Sequence, residues 1–186
     1  MKAQPAYAIT PMHLSDIAQA LAVQASAYPA HLLEDAAFFR NRLALSPSTC
    51  WVARPASAPA FAPASASLLG YLIAYPWADG LPPALNAPLH TLPSPATTWF
   101  LHDCAVAAHC QGLGVGQALY RTAAAHAQAV GLRQAALVAL ESAVGYWQKQ
   151  GYAEPARSLP GMAHKLGGYG AGARYLTRAL GPLRGH

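Results

Sequence analysis

Charged side chains are scarce in this chain of 186 residues, because Asp, Glu, Lys and Arg together make up only 10% of it. A typical soluble protein carries about 25%. Acidic residues are scarcer than basic ones, with 7 Asp and Glu against 12 Lys and Arg, so the net charge is +5. The cations are scattered along the chain, whereas a nucleic-acid binder clusters them on one element. The sequence therefore disfavours a nucleic-acid partner and makes each acidic residue worth inspecting.

Cysteines are also few, and no long apolar run is present. Three cysteines are too few, and odd in number, for a disulfide framework. The longest stretch without a charged residue, 55–78, contains four prolines, and its strongly apolar part, 67–75, has the length of a strand. The first residues lack the apolar core of a secretory signal. These absences predict a reduced, cytoplasmic protein without a membrane partner.

Hydrophobic periodicity predicts a single α/β domain over residues 1–186, with its core within about 7–180. Strands are predicted at 7–10, 49–53, 68–75, 99–106, 135–140 and 174–180, with another beginning at 152, and helices at 15–25, 33–45, 115–130 and 142–150. An Ala/Pro/Ser-rich segment at 55–65 is interpreted as an exposed hairpin connection. A Pro-rich loop at 76–95 is long for a compact domain, and such loops are usually functional or disordered.

A glycine-rich turn at 106–117 joins a strand to the start of the longest predicted helix. Glycines there leave backbone N–H groups open, and the helix dipole favours an anion, so the turn suits phosphate or pyrophosphate. The Gly-Gln-Ala at 116–118 lacks the Lys of a P-loop, and neither Gly112 nor Gly114 begins a GxGxxG dinucleotide fingerprint. A turn that only permits close packing remains the alternative interpretation.

The turn does contain Gln111-x-x-Gly114-x-Gly116. This pattern, the strand segment 102–106 and the segment 142–152 with its closing Gly-Tyr resemble the GNAT N-acetyltransferase superfamily. The opening strand–helix–helix–strand order is similar as well. The resemblance is strongest over residues 99–153, and it implies a mixed, mostly antiparallel sheet flanked by helices.

The resemblance also implies acetyl-CoA as the co-substrate. In the family, the strand before the turn binds the pantetheine arm and the turn holds the pyrophosphate. The implied contacts are Cys104, Ala105, Val106, Gln111, Gly112, Leu113, Gly114, Val115, Gly116 and Gln117. A homodimer is compatible with the family.

Two histidines and two cysteines within 102–110 invite a zinc site. Structural zinc sites pair two closely spaced ligands with a second pair elsewhere, and this sequence has no such second pair. We therefore expect no metal. Cys104 is also conceivable as an acyl-accepting nucleophile, but its place in an apolar strand favours an inert buried thiol.

Amine acetylation needs a group that takes the ammonium proton, and His102 is the candidate base because histidine titrates near neutral pH. Its segment resembles that of arylalkylamine N-acetyltransferases. A structural histidine bonded to the backbone is an equal alternative. Strand alternation places Phe100, His102 and Cys104 on one face and Asp103 on the other. The expected acceptor contacts are Tyr28, Pro29 and Phe100.

A second group must return a proton to the CoA thiolate. The family's usual Tyr lies four residues before the Gly of its Gly-Phe/Tyr pair, and this sequence has Trp147 there. An indole N–H does not titrate. Tyr146 is the candidate acid, although neighbouring helix residues point about 100° apart. A re-aimed Tyr146, a water molecule and a catalytically weak domain are the alternatives; we favour water and an active enzyme.

The resemblance implies an acyltransferase that moves the acetyl group of acetyl-CoA to a primary amine of a small molecule or peptide N-terminus, in a ternary complex. The alternative is a CoA-binding module with weak or no catalysis. Polycationic acceptors suit acidic pockets, so the shortage of acids favours a mono-amine, with aromatic mono-amines included, or a peptide N-terminus. Glu34 and Asp35 adjoin the wall where the family binds its acceptor, but a solvated helix start explains them better.

Overall fold

The computed structural model describes residues 7–56, 67–157 and 159–181. These residues form a six-stranded sheet whose strands follow one another in chain order. The strands are β1 (Tyr7–Pro11), β2 (Trp51–Pro55), β3 (Gly70–Trp77), β4 (Thr98–Val106), β5 (Gln134–Ala139) and β6 (Arg174–Ala179). The helices are α1 (Ile17–Ala27), α2 (Ala36–Leu45), α3 (Val115–Ala129), α4 (Val144–Lys149) and α5 (Met162–Gly167).

Neighbouring strands are antiparallel except β4 and β5, which are parallel. Helices α1 and α2 cover one face of the sheet and α3 covers the other. On the first face Phe39 packs against Tyr71, and on the second Tyr120 packs against Trp99. Strand β3 is buried along most of its length because both of its faces are covered. The predicted mixed, mostly antiparallel sheet flanked by helices is confirmed.

Some element boundaries differ from the sequence-based prediction. The strand expected to begin at Tyr152 is reduced to one bridge between Ala153 and Thr177. Helix α2 begins later than predicted because the Asp35 side chain caps it, accepting from the Phe38 N–H at 2.9 Å. Helix α5 was not predicted, since six residues are too few to show a helical period. Most of the predicted 55–65 connection lies outside the described residues.

Strand β4 contains a β-bulge at the position that matters most for the site. Ala74 pairs with Leu101 and Ile73 pairs with Asp103, so His102 has no partner on β3. A bulge bends its strand and re-aims the side chains beyond it. In addition, β4 pairs with β5 only as far as Leu101. The edge of β4 from 102 to 106 therefore borders a gap between the two parallel strands.

The bulge corrects the predicted direction of Asp103. Its carboxylate accepts a hydrogen bond from the Tyr71 hydroxyl, and Tyr71 packs on Phe39 of α2. The His102 ring packs on Phe38 of the same helix, with ring centroids 4.8 Å apart. Both side chains thus lie on the α2 side of the sheet. Simple alternation placed them on opposite faces because it assumes an unbroken register.

The described part of the chain contains no helix that is long and apolar enough to cross a membrane. It also contains no group of three or more His, Cys, Asp or Glu side chains arranged to hold a metal ion.

Candidate active site

A cavity of about 300 Å³ opens where β4 and β5 diverge. Strands β4 and β5, helix α4, the start of α3 and the chain around residues 28–34 form its walls. Among the described residues, no Lys or Arg lines it. Its titratable side chains are Tyr28, Glu34, His102, Asp103, Cys104, Tyr146 and Tyr169. Two of the chain's seven acids therefore face one cavity.

The backbone of β4 presents alternate residues to this gap. The Ala107 N–H donates to the Leu69 carbonyl at 2.9 Å, and alternate residues of an antiparallel pair bond across to the partner strand. The backbone groups of Ala105 therefore face β3, whereas those of Cys104 and Val106 face the gap. Of the three residues predicted to bind the pantetheine arm, Cys104 and Val106 are directed correctly for it, and Ala105 is not.

The glycine-rich turn ends at the N-cap of α3, where Gly114 has a φ of 78°. Within the described ranges, no carbonyl or side chain accepts a hydrogen bond from the backbone N–H of Gly112, Gly114, Val115, Gly116 or Gln117. Free N–H groups at a helix N-terminus bind anions, because the helix dipole adds to their own polarity. The turn therefore fits the pyrophosphate of CoA.

Two other residues predicted to contact the cofactor donate their backbone N–H groups to carbonyls within the turn itself. Gln111 donates to the Ala108 carbonyl at 3.4 Å, and Leu113 donates to the Cys110 carbonyl at 3.3 Å. The Leu113 side chain is largely exposed. These two residues shape the turn and do not offer backbone donors to a ligand.

The ring nitrogens of His102 both have hydrogen-bond partners. Nδ1 lies 2.7 Å from the Tyr75 hydroxyl, and Nε2 lies 2.9 and 3.1 Å from the two carboxylate oxygens of Glu34. Burial raises the pKa of Tyr75 well above its ordinary value, so the phenol stays protonated. Both ring nitrogens of His102 are already engaged in hydrogen bonds. Neither is free to accept a proton from an amine while these bonds last.

Glu34 is buried, with 4% of its surface exposed, and does not form the solvated helix start that we expected. Its Oε1 accepts the Asn86 backbone N–H at 2.8 Å as well as the His102 bond. Its own N–H donates to Gln24 at 2.9 Å. Asp35, next in the chain, does cap a helix as expected. The scarcity of acids singled out Glu34, but no local pattern showed that it would be buried beside His102.

The three predicted acceptor contacts separate in the structure. Tyr28 lines the cavity, and its hydroxyl donates to the Cys104 carbonyl at 3.0 Å. Pro29 is exposed and lies outside the lining. Phe100 is 0% exposed and packs behind the wall against the rings of Tyr75 and His102. Phe100 therefore supports the His102 ring from behind and does not reach a ligand in the cavity.

The family model described as the acetyltransferase (GNAT) family matches residues 18–152. This chain belongs to the GNAT acetyltransferase family. The match includes the glycine-rich turn, the bulged strand β4 and helix α4. A comparison with curated protein sequences returns no match.

Solved GNAT structures resemble the chain in fold at low sequence identity. The loading GNATL domain of CurA from Lyngbya majuscula has a TM-score of 0.72 at 12% identity, covering 94% of this chain and 98% of that chain. The GphF GNAT-like decarboxylase in complex with isobutyryl-CoA has a TM-score of 0.67 at 18% identity, covering 94% and 100%. A GNAT family acetyltransferase from Brucella melitensis in complex with acetyl-CoA has a TM-score of 0.57 at 18% identity, covering 96% and 91%. At these identities the likeness concerns the fold alone.

In this GNAT domain, Tyr146 and Trp147 of α4 both line the cavity. Tyr146 is 47% exposed, and its pKa is raised by partial burial and then by the neighbouring Cys104 and Tyr120. Trp147 packs against the rings of Tyr120 and Tyr152. The short helix thus brings the Tyr146 phenol to the cavity even though Trp147 holds the family's usual tyrosine position.

Cys104 lines the same cavity, and its thiol is not activated. Burial raises its pKa to about 12, and the charge of Asp103 adds to the effect. The thiolate is the nucleophilic form of cysteine. These values favour the inert thiol over an acyl-accepting nucleophile.

The long loop between β3 and β4 forms hydrogen bonds with α2, with its cap Asp35 and with Glu34. Asn86 donates its N–H to Glu34 and accepts the Asp35 N–H at 3.1 Å on its side chain. The Asn41 side chain donates to the Leu89 carbonyl at 2.9 Å. Leu85 from this loop lines the cavity. The loop thus forms part of the wall near Glu34.

Shortening Leu85 to alanine should raise the acceptor KM about tenfold and leave acetyl-CoA affinity nearly unchanged. The reason is that Leu85 contacts the cavity on the Glu34 side, away from the glycine-rich turn. Leu92→Ala is the matched control, because Leu92 lies in the same loop, packs on the core and does not line the cavity. Steady-state kinetics with each substrate varied would decide, and a loss confined to acetyl-CoA would contradict this placement.

Proposed function

We propose that this domain transfers the acetyl group of acetyl-CoA directly to a primary amine of a small molecule or peptide N-terminus, within a ternary complex. The observation that carries the proposal is the cavity at the β4–β5 gap. It connects an anion-binding helix start and an open strand edge to a buried carboxylate. Bound acetyl-CoA supplies the reactive thioester. Its pyrophosphate would be held by the N–H groups of the turn and its pantetheine arm by the backbone of Cys104 and Val106.

The charges of the cavity favour a cationic acceptor. Glu34 and Asp103 line it without a Lys or Arg among the described residues. Burial raises the pKa of Asp103 and so disfavours its charged form, which leaves Glu34 as the main source of attraction for a cation. An ammonium group is attracted to such a site, whereas an acyl group with a free carboxylate is repelled. This supports amine acetylation over decarboxylation of a carboxyacyl thioester.

The preference for a mono-amine stays a prediction. It assumes that seven acids are too few for an acidic pocket. Because two of them line one cavity, acceptors with a second cationic group belong in the substrate panel as its test.

Glu34 is best placed to receive the proton that the amine loses. Glu34 lines the cavity, and its carboxylate is oriented by donors from His102 and Asn86. The bound ammonium gives a first proton to Glu34, which passes it to water, and the freed nitrogen lone pair bonds to the acetyl carbon. The nitrogen's second proton then passes to Glu34 as the carbon–sulfur bond breaks. His102 orients Glu34 in this scheme, because both of its ring nitrogens are already bonded.

The leaving sulfur then needs a proton, and Tyr146 and water are both within reach of the cavity. The raised pKa of Tyr146 keeps its phenol protonated at neutral pH, so a proton is available. Its half-open position also admits water.

Tyr146→Phe should therefore lower kcat less than tenfold, because water replaces the phenol and a CoA thiol leaves readily near neutral pH. Tyr175→Phe, which removes a buried phenol that does not line the cavity, is the control. A loss of a hundredfold or more in Tyr146→Phe alone would make the phenol the obligatory acid. Rapid-mixing measurements of thiol release provide the comparison.

The proposed function is tested by incubating the purified chain with acetyl-CoA and a panel of mono-amines, diamines and short peptides. Thiol release and the mass of the product report transfer. Malonyl-CoA without an amine serves as the contrast, because its decarboxylation would release CO₂. Acetyl-CoA binding without turnover across the panel would favour the non-catalytic CoA-binding module, and CO₂ release would favour a decarboxylase.

A further inference from the structure

Arg42 of α2 is a buried cation without a carboxylate partner among the described residues. Its surface is 0% exposed. Nη2 donates to the Ala87 carbonyl at 2.9 Å, Nη1 donates to the Asn41 side chain, and Nε has no hydrogen-bond partner. A buried charge without an opposite charge is costly. The groups that contact the guanidinium therefore indicate which part of the protein its charge affects.

The guanidinium contacts the two aromatic rings that also contact His102. Its Cζ atom is 4.4 Å from the centroid of the Phe38 ring and 5.2 Å from that of Tyr75. The His102 ring lies 4.8 and 5.8 Å from the same two rings between centroids. The cation and the imidazole therefore share two aromatic neighbours, and the Tyr75 hydroxyl bonds directly to His102 Nδ1.

A cation in this position acts on Tyr75 and on His102 in the same sense. Burial raises the pKa of Tyr75, and Arg42 offsets part of that rise, which makes the phenol a better hydrogen-bond donor to Nδ1. A nearby positive charge also disfavours a second proton on an imidazole. Both effects favour the neutral form of His102, in which Nδ1 accepts from Tyr75 and Nε2 donates to Glu34.

The same guanidinium supports the second donor to Glu34. It holds the Ala87 carbonyl, and the preceding residue, Asn86, donates its N–H to Glu34 at 2.8 Å. Arg42 therefore contacts both routes that orient the Glu34 carboxylate. It packs on Tyr75, which bonds to His102, and it bonds to Ala87, which follows Asn86 in the loop.

We propose that Arg42 is a positioning residue that disfavours protonation of His102 and so leaves Glu34 free of a charged imidazolium partner. A doubly protonated His102 would pair with Glu34 as an ion pair and weaken it as a proton acceptor. The catalytic consequence rests on the proposed function, whereas the effect on His102 is a property of the folded protein alone.

The groups that face His102 set the sign of the expected change. Glu34 and Asp103 are carboxyl groups and favour a charged imidazole. Tyr75 and Tyr169 stay neutral at ordinary pH, because burial raises the pKa of each. Among these groups of the described chain, Arg42 supplies the positive charge. Removing it should therefore make His102 easier to protonate.

The direct test is NMR titration of the His102 imidazole, assigned by its loss in His102→Gln. In Arg42→Met the ring should take up its second proton at a pH at least about half a unit higher than in wild type. Arg42→Lys keeps the charge and should stay close to wild type. Leu43→Ala is the matched control, because it truncates a buried neighbour on the same helix without changing charge. Equal titration in Arg42→Met and wild type would overturn the proposal.

Arg42→Gln keeps the test decisive if Arg42→Met does not fold. It removes the charge and retains an amide donor for the Ala87 carbonyl, so the His102 titration should again move to higher pH. An unmoved titration in Arg42→Gln would also count against the proposal.

If wild type acetylates amines, the acidic limb of its kcat/KM profile should move to higher pH in Arg42→Met and stay in place in Leu43→Ala. An acidic limb that stays in place in Arg42→Met would contradict the catalytic consequence. If wild type acetylates no amine, the proposed function fails, and the NMR titration still decides the role of Arg42.

Discussion

His102→Ala should lower kcat by about 10²- to 10⁴-fold with little change in acetyl-CoA affinity. The substitution removes the Nε2 donor that holds Glu34 at 2.9 Å and leaves the Tyr75 hydroxyl without its partner. The glycine-rich turn and the open edge at Cys104 and Val106 are untouched, so cofactor binding should persist. Single-turnover kinetics and an acetyl-CoA titration of the same preparation separate the two effects.

Glu34→Gln should cost a similar factor, because the amide cannot take up the amine proton. The double variant should be little worse than either single one, since residues that act as a unit are not additive. His126→Ala is the matched control, because that ring packs beside Trp51 on the far side of the sheet and does not line the cavity. If His102→Ala is no slower than His126→Ala, His102 has only a structural role.

Gly114→Val should weaken acetyl-CoA binding at least about tenfold, which corresponds to losing one charge-assisted hydrogen bond. The residue caps α3 at a φ of 78°, where a β-branched side chain is strained. Relieving that strain moves the N–H groups of Val115 and Gly116 away from the position that suits a pyrophosphate. Calorimetric titration and the thermal shift at saturating ligand report the loss.

Gly131→Val provides the comparison for that experiment. Gly131 follows α3 at its other end with a φ of 92°, and its added Cβ would meet nothing within 4 Å. Both variants therefore carry similar backbone strain, and only one lies in the turn. Equal acetyl-CoA affinity in the two variants would mean that the turn does not hold the phosphates.

The local parts of the site were predictable because short-range chemistry determines them. The glycines of the turn, the strand before it and the helix after it are contiguous, so spacing alone indicated an anion site at 112–117. The same spacing carried the family resemblance, which the family model confirms over residues 18–152. Sequence spacing does not determine the cavity position of Tyr146, because the direction of one residue in a short helix depends on how that helix docks.

The acceptor side was less predictable, because its groups come from distant parts of the chain. Glu34 meets His102 across 68 positions, and Asn86 meets Glu34 across 52. No periodicity records such pairings. Asp103 was placed on the wrong face because a bulge cannot be read from alternation, and Phe100 was expected at the surface of the site because aromatic residues suit both pockets and cores.

The sequence by itself determined the α/β class, the glycine-rich turn and its suitability for a phosphate ligand, since these follow from composition, spacing and backbone conformation over a few residues. Tertiary structure alone decided that two of the seven acids share one cavity and that Glu34 lies against His102. It also decided that Arg42 contacts Tyr75 and Ala87, which adjoin the two groups that orient Glu34. These arrangements depend on the bulge in β4 and on the packing of α2 and the β3–β4 loop against the sheet, where burial and long-range hydrogen bonds outweigh local preference.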